Sequence, residues 1–183
     1  MSEDKTPYVG RPMERVEDAG LLLAAGKYAD DMPTVEGTLH AAILRSPHAS
    51  AEILSIDTSA AERQPGVAAV LTGADIKDVT TPFLIVVKQP MDQWCLAIDR
   101  VRFVGEAVAV VIADDRYLAE DAVDLIEVDY QTTEFVIDPN DAAREDAPLV
   151  HEEVGSNIVS DRDFVYGDPD TAFAEADHMV ELS

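Results

Sequence analysis

The 183-residue sequence holds a single cysteine, Cys95, and that scarcity removes several chemistries at once. One thiol makes no internal disulfide, and by itself it holds neither an iron–sulfur cluster nor a structural zinc, each of which needs several ligands. Cationic residues are scarce as well: 13 Lys and Arg stand against 37 Asp and Glu, for a net charge of −24. A surface of that sign repels a phosphate backbone, and no basic stripe or arm offsets it, so nucleic acid is excluded as a partner. The acidity reads as a solubility device, with a basic partner surface as the alternative. Long apolar runs are missing too. The longest, Ala107 to Ala113, falls well short of the about 20 residues a membrane helix requires. The start, Met1-Ser2-Glu3-Asp4-Lys5, has neither the basic opening nor the apolar run of a secretory signal. These absences lead us to expect a soluble cytoplasmic protein with no membrane partner, and one free thiol suits a reducing compartment.

Familiar site motifs are equally sparse. His40, His48, His151 and His178 lie at spacings that suit no local metal motif, and His151-Glu152-Glu153 lacks a second histidine at helical spacing. Gly66 and Gly73 are isolated, and Val104-Gly105-Glu106 lacks the paired glycines of a dinucleotide fingerprint. Ser46-Pro47-His48 sets a hydroxyl near an imidazole, but a triad requires spatial geometry that adjacency does not supply, so a turn is expected. The pairs Asp30-Asp31 and Asp114-Asp115 fall where turns and helix caps favour aspartate. Met91 and Trp94 beside Cys95 read as a packing or interface patch.

What is present is a foldable pattern, with hydrophobic residues making up 47% of the chain. Residues 1–18 read as an extended lead-in, and from Leu21 the chain becomes strand-like. Leu39–Leu44 is the first clear strand and ends at Pro47; Ala51–Ile56 is the second. Asp57-Thr58-Ser59 offers N-caps to a short helix closed by Pro65-Gly66, followed by a strand at Val67–Leu71 and a helical turn at Ala74–Lys77. This strand–helix–strand unit is near the small end for a crossover. Asp78 to Asp99 is looser, broken by Pro82 and Pro90. Val101–Ala113 is the strongest strand pattern, with Gly105 marking a bulge or close approach. Asp114-Asp115 caps a helix, and Val128–Tyr130 returns as a strand in a second, similar unit. Leu118, Ala122, Leu125 and Ile126 are expected to be buried against Val101–Ala113. Asp138-Pro139 opens another helix, Phe164–Tyr166 is a candidate strand, Gly167-Asp168-Pro169 starts a helix, and His178–Leu182 begins an alternating strand. A fresh apolar strand at a terminus invites association, so we expect it to pair with a partner or to continue into more chain. Tyr8–Arg15 and Met179–Leu182 are therefore expected to be ordered mainly by another chain.

Several blocks in order resemble the start of molybdenum-hydroxylase large subunits, the xanthine dehydrogenase, aldehyde oxidase and carbon monoxide dehydrogenase family. They are Val9-Gly10-Arg11-Pro12 through Asp18, Gly26-Lys27-Tyr28-Ala29-Asp30-Asp31, Leu44-Arg45-Ser46-Pro47-His48-Ala49 and Pro65-Gly66-Val67 through Thr72. Arg100-Val101-Arg102-Phe103-Val104-Gly105-Glu106 through Ala109, Ala119-Glu120-Asp121-Ala122 before Val128-Asp129-Tyr130, and Gly167-Asp168 with Ala172 to Asp177 complete the series. The resemblance covers nearly the whole chain.

It implies an α+β fold: a lead-in at 1–18, an α/β-hammerhead domain at 19–137 and the beginning of a first molybdopterin-binding domain at 138–183. In that family the large subunit carries molybdopterin, in some members as the cytosine dinucleotide, and oxygen is transferred to an electron-poor carbon. Electrons pass to [2Fe–2S] clusters and FAD, often on separate subunits. The pterin-gripping residues and the catalytic base lie downstream of every block matched, so no catalytic, cofactor-binding or metal residue is expected here. The implied partners are the rest of the large subunit and the iron–sulfur and FAD subunits. Arg45, Ser46, Pro47, His48, Gly105 and Glu106 are the candidate subunit interface. The expected role is a structural section of a split or truncated large subunit; the rivals are a free-standing acidic adaptor and a small hydrolase resting on Ser46 and His48.

Overall fold

The computed structural model describes residues 9–10, 12–83 and 91–181. Tyr8, Arg11 and Leu182, which enter the expectations above, lie outside that set. The chain divides into two compact units, one up to Thr38 and one from Leu39 onward.

In the first unit Asp18–Leu22 is helix α1, and Ala29–Asp31 forms a 3-10 turn. The strand-like start expected at Leu21 is therefore corrected to a helix, because Leu21 N–H reaches the Glu17 carbonyl and closes the first turn. Asp31 serves a turn as expected, its carboxylate accepting the Tyr28 N–H at 3.0 Å.

Among its described residues the second unit has six strands, β1 His40–Arg45, β2 Ala51–Asp57, β3 Val67–Thr72, β4 Arg100–Val101, β5 Ala107–Ala113 and β6 Glu127–Thr132. They form two three-stranded sheets, ordered β1-β5-β3 and β4-β2-β6, and every pairing is antiparallel. Each successive strand thus lies in the other sheet from its predecessor. Both strand–helix–strand units expected from sequence consequently join the two sheets rather than making crossovers within one. The two helices concerned are α2, Ser59–Glu62, and α4, Arg116–Val123. A third short helix, α3, spans Gly73–Ile76 after β3.

The long strand expected over Val101–Ala113 is corrected as well. It is two strands, β4 and β5, in different sheets, and Gly105 (φ +92°) lies in the loop between them rather than in a bulge. A positive φ disfavours a residue bearing a Cβ, so the chain reverses here where glycine permits it.

Two buried clusters hold this unit together. One sets Ala109, Val111 and Ala113 of β5 against Ala61 of α2 and Ala119, Ala122 and Ile126 in and after α4. The other gathers Ala51, Ala97, Val101 and Val108. Ile56 and Val128 pack against both. Small residues on α4 let the helix approach the sheet closely. Asp115 caps that helix, its carboxylate accepting the Leu118 N–H at 2.9 Å. Leu118 packs beside the core, but Leu125 is 37% exposed, and its expected burial is corrected. The helix ends at Val123, so the helical spacing that placed Leu125 on the buried face no longer applies two residues later.

Gly73 sits where β3 enters α3, and a Cβ built there would overlap the Ala97 carbonyl. That contact ties α3 to the loop before β4. Beyond β6, α5 (Pro139–Ala142) starts at Asp138 as expected, with the Asp138 carboxylate accepting two backbone N–H groups. Helix α6 (Pro169–Ala174) is capped by Asp168. Phe164–Tyr166 forms no strand and is exposed, which corrects that expectation; residues 178–181 are exposed and join no strand of this chain among the described residues. Alternation alone makes no strand without a ladder to join.

Candidate functional site

The β1–β2 turn and the β4–β5 loop come together at one corner, and they carry all six candidate interface residues. The Arg45 guanidinium donates to the Gly105 carbonyl at 2.8 Å. Ser46 N–H donates to the Glu106 carbonyl at 2.8 Å, and Gly105 N–H returns a bond of 2.8 Å to the Ser46 carbonyl. Two segments sixty residues apart are thereby laced by backbone groups that would otherwise be orphaned in a loop.

Ser46 is buried, and its hydroxyl accepts the His48 N–H at 3.0 Å and donates to the His48 carbonyl at 3.1 Å. That is a serine turn, as the sequence suggests, and it orients the hydroxyl toward backbone rather than toward an imidazole nitrogen. The His48 ring stands edge-on to Tyr130 with centroids 4.9 Å apart. Burial pushes the Tyr130 phenol above its ordinary 10.0, and the Ser46 hydroxyl opposes the shift. Pro47 is exposed at the tip of the turn.

Sequence reasoning overlooked Arg102. Its backbone N–H donates to Glu106 Oε2, while its guanidinium Nε is buried with no hydrogen-bond partner among the described residues. Overlooked too was the Ser50–Thr133 pair, whose hydroxyls meet at 2.7 Å and close the start of β2 onto the end of β6. The charge of Arg102 breaking the apolar texture between Val101 and Phe103 was the available signal.

A cavity of about 640 Å³ opens beside this corner, and its lining includes Lys77, Trp94, Arg102, Glu106, His151 and Glu153. Arg100 reaches out to Glu152 at 3.2 Å, and His151 pairs with Glu153 at 3.1 Å. A backbone hydrogen bond, with help from His151 and Arg102, holds the Glu153 carboxyl below its ordinary value. Asp92, Asp99, Glu106 and Glu153 outnumber Lys77 and Arg102 around the opening. A dinucleotide phosphate is poorly served by that balance. Among the described residues no three His, Cys, Asp or Glu side chains gather to hold a metal, and Cys95 is exposed. Among the described residues this lining suits neither a metal centre nor the phosphate of a pterin cofactor. No helix among the described residues is long and apolar enough to cross a membrane.

Residues 23–134 match the family model described as the aldehyde oxidase and xanthine dehydrogenase a/b hammerhead domain. The nicotine 6-hydroxylase large subunit of Paenarthrobacter nicotinovorans is 40% identical over 176 residues, covering 94% of this chain and 21% of that protein. The carbon monoxide dehydrogenase large chain of Afipia carboxidovorans is 41% identical over 151 residues, covering 82% and 18% respectively. Among solved structures, quinoline 2-oxidoreductase from Pseudomonas putida 86 superposes with a TM-score of 0.73 at 37% identity, over 91% of this chain and 21% of that one. The chain thus spans about a fifth of the length of the relatives it matches.

Proposed function

This chain belongs to the aldehyde oxidase and xanthine dehydrogenase family through its hammerhead domain, and from that premise we propose that it is a structural, non-catalytic section of a molybdenum hydroxylase large subunit. Residues 19–137 are the hammerhead domain in this reading, and residues 138–183 begin the first molybdopterin-binding domain. The observation that carries the proposal is the coverage: 94% of this chain aligns with a large subunit nearly five times as long. A free-standing adaptor would have no reason to keep that alignment past the hammerhead and into α6.

The remaining polypeptide would hold the molybdenum cofactor, as molybdopterin or its cytosine dinucleotide. That cofactor would transfer oxygen to an electron-poor carbon and pass electrons to [2Fe–2S] clusters and FAD on partner subunits. In a reducing cytoplasm Cys95 stays a thiol. The part played by this chain is geometric. The corner of Arg45, Ser46, Pro47, His48, Gly105 and Glu106 is a pinned, largely polar platform, rigid because its hydrogen bonds are made within the chain. Such a platform offers a partner a preorganised surface with little ordering cost on docking.

The reading is tested by purifying the protein from its native source and identifying what accompanies it by mass spectrometry. The expected companions are the rest of a molybdopterin-binding large subunit, on the same or a separate polypeptide, and iron–sulfur and FAD subunits. Recovery of the chain with none of them overturns the proposal.

A further inference from the structure

Among the described residues the sheet β1-β5-β3 is apolar on both faces; its own helices cover one face, and on the other Val108 alone is buried, in the second cluster. Residues Ala42, Leu44, Val67, Val70, Ala109, Val111 and Ala113 point into the cluster beneath α2 and α4. The alternate positions form two complete cross-strand rows on the other face. Ile43 and Leu71 flank Val110 in one row, and Ala41 and Ala69 flank Ile112 in the next. None of these six belongs to either buried cluster. Ile43 is 45% exposed and Ala41 is exposed too. An antiparallel sheet with one solvated face alternates apolar and polar residues, whereas near-continuous apolar strands such as Ala107–Ala113 mark sheets covered on both sides. Two rows of aliphatic side chains without a single polar member are the composition of an interface core, where charged residues are depleted.

We propose that this outer face is the docking surface for the remaining part of the large subunit, which meets it with an uncharged aliphatic patch. The inference rests on the reading given above. Two observations select that occupant. About four fifths of the length of the matched relatives lies outside the region this chain covers, and in those proteins it is on the same polypeptide. A second copy of this chain is disfavoured, because two bodies each carrying −24 repel one another. The face also runs along β1 directly into Arg45, so one partner could cover the aliphatic rows and the hydrogen-bonded corner together.

The test uses the full 183-residue chain and the polypeptide encoded beyond it or in the adjacent reading frame, expressed separately. Binding is measured by titration for the wild-type chain, for Ile43→Glu and Ala41→Arg on the face, and for Glu127→Gln on the exposed side of β6. Circular dichroism and hydrogen exchange of β5 establish that each variant is folded; Ala41, being exposed, keeps the test open if Ile43→Glu misfolds. Wild type and Glu127→Gln are expected to bind equally. The two face variants are expected to lose at least about tenfold in affinity, equivalent to about 1.4 kcal/mol. Undiminished binding by folded face variants overturns the assignment of this surface while leaving the functional reading intact. Failure of the wild-type chain to bind, or the absence of any such polypeptide, overturns the functional reading itself. A wild-type dimer that Ile43→Glu dissociates shows a second copy to be the occupant and overturns the proposal.

Discussion

The guanidinium of Arg45 lies 2.8 Å from the carbonyl oxygen of Gly105, joining the end of β1 to a loop sixty residues away. That loop reverses through Gly105 at φ +92°, where a Cβ would meet nothing within 4 Å. The site is thus demanding in backbone conformation and undemanding in space. Gly105→Ala should cost about 1–3 kcal/mol, the range for a non-glycine residue held in a sparsely populated backbone region. Arg45→Ala removes one exposed hydrogen bond and should cost only about 0.5–1.5 kcal/mol. Urea unfolding of the two variants checks the order; a larger loss for Arg45→Ala would show that the side chain, not the turn, holds the corner.

Gly73 presents the opposite case, demanding in space and undemanding in conformation. A Cβ there overlaps the Ala97 carbonyl, and backbone cannot swing aside as a flexible side chain can. Gly73→Ala should destabilise by about 1–3 kcal/mol or more, as overpacking does. Its effect should appear in hydrogen exchange as lost protection around Ala97, whose N–H donates to the Ala107 carbonyl. Unchanged exchange there would refute the coupling.

The helix face is tested by a pair of truncations. Val111 of β5 is fully buried against α4, and Val111→Ala should cost about 2–3 kcal/mol from lost burial and the cavity left behind. Leu125 is half-exposed, and Leu125→Ala should stay within about 0.5 kcal/mol, as surface substitutions do. Comparable losses for both would restore the face inferred from sequence periodicity.

Asp75 gives stability a readable dependence on acid. Its carboxylate accepts the Thr72 hydroxyl at 2.7 Å and the Thr72 N–H at 2.8 Å, which lowers its pKa from the ordinary 3.8. A depressed folded-state pKa means the unfolded chain takes up the proton first. The contribution is therefore whole above 3.8 and is lost as pH falls below that value through the folded pKa. Asp75→Asn should flatten this part of the stability profile between neutral pH and about pH 2, the acid region where carboxylates titrate. Superimposable slopes for wild type and variant would exclude Asp75 as a contributor.

Local signals in the sequence located β1, β2, β3 and β6, and they placed the caps at Asp115, Asp138 and Asp168, because alternation and capping are properties of a few neighbouring residues. Partner choice between strands was not legible. Alternation says which side of a strand is buried but not which sheet it joins, and here consecutive strands always change sheets. The same limit hid the break inside Val101–Ala113. An apolar run carries no mark of its change of sheet except Gly105 and the intruding Arg102. At the candidate corner, the residues singled out in the two loops do meet. The Ser50–Thr133 closure was invisible because its members lie 83 positions apart and each reads as an ordinary loop residue.

A non-catalytic section of a molybdenum hydroxylase large subunit holds no molybdenum by itself. The most direct measurement is molybdenum analysis of two preparations: the 183-residue chain expressed alone in a molybdopterin-competent host, and the complex isolated with its large-subunit remainder. Stoichiometric molybdenum and hydroxylase activity are expected in the complex, with neither in the isolated chain. Stoichiometric molybdenum on the isolated chain would contradict it.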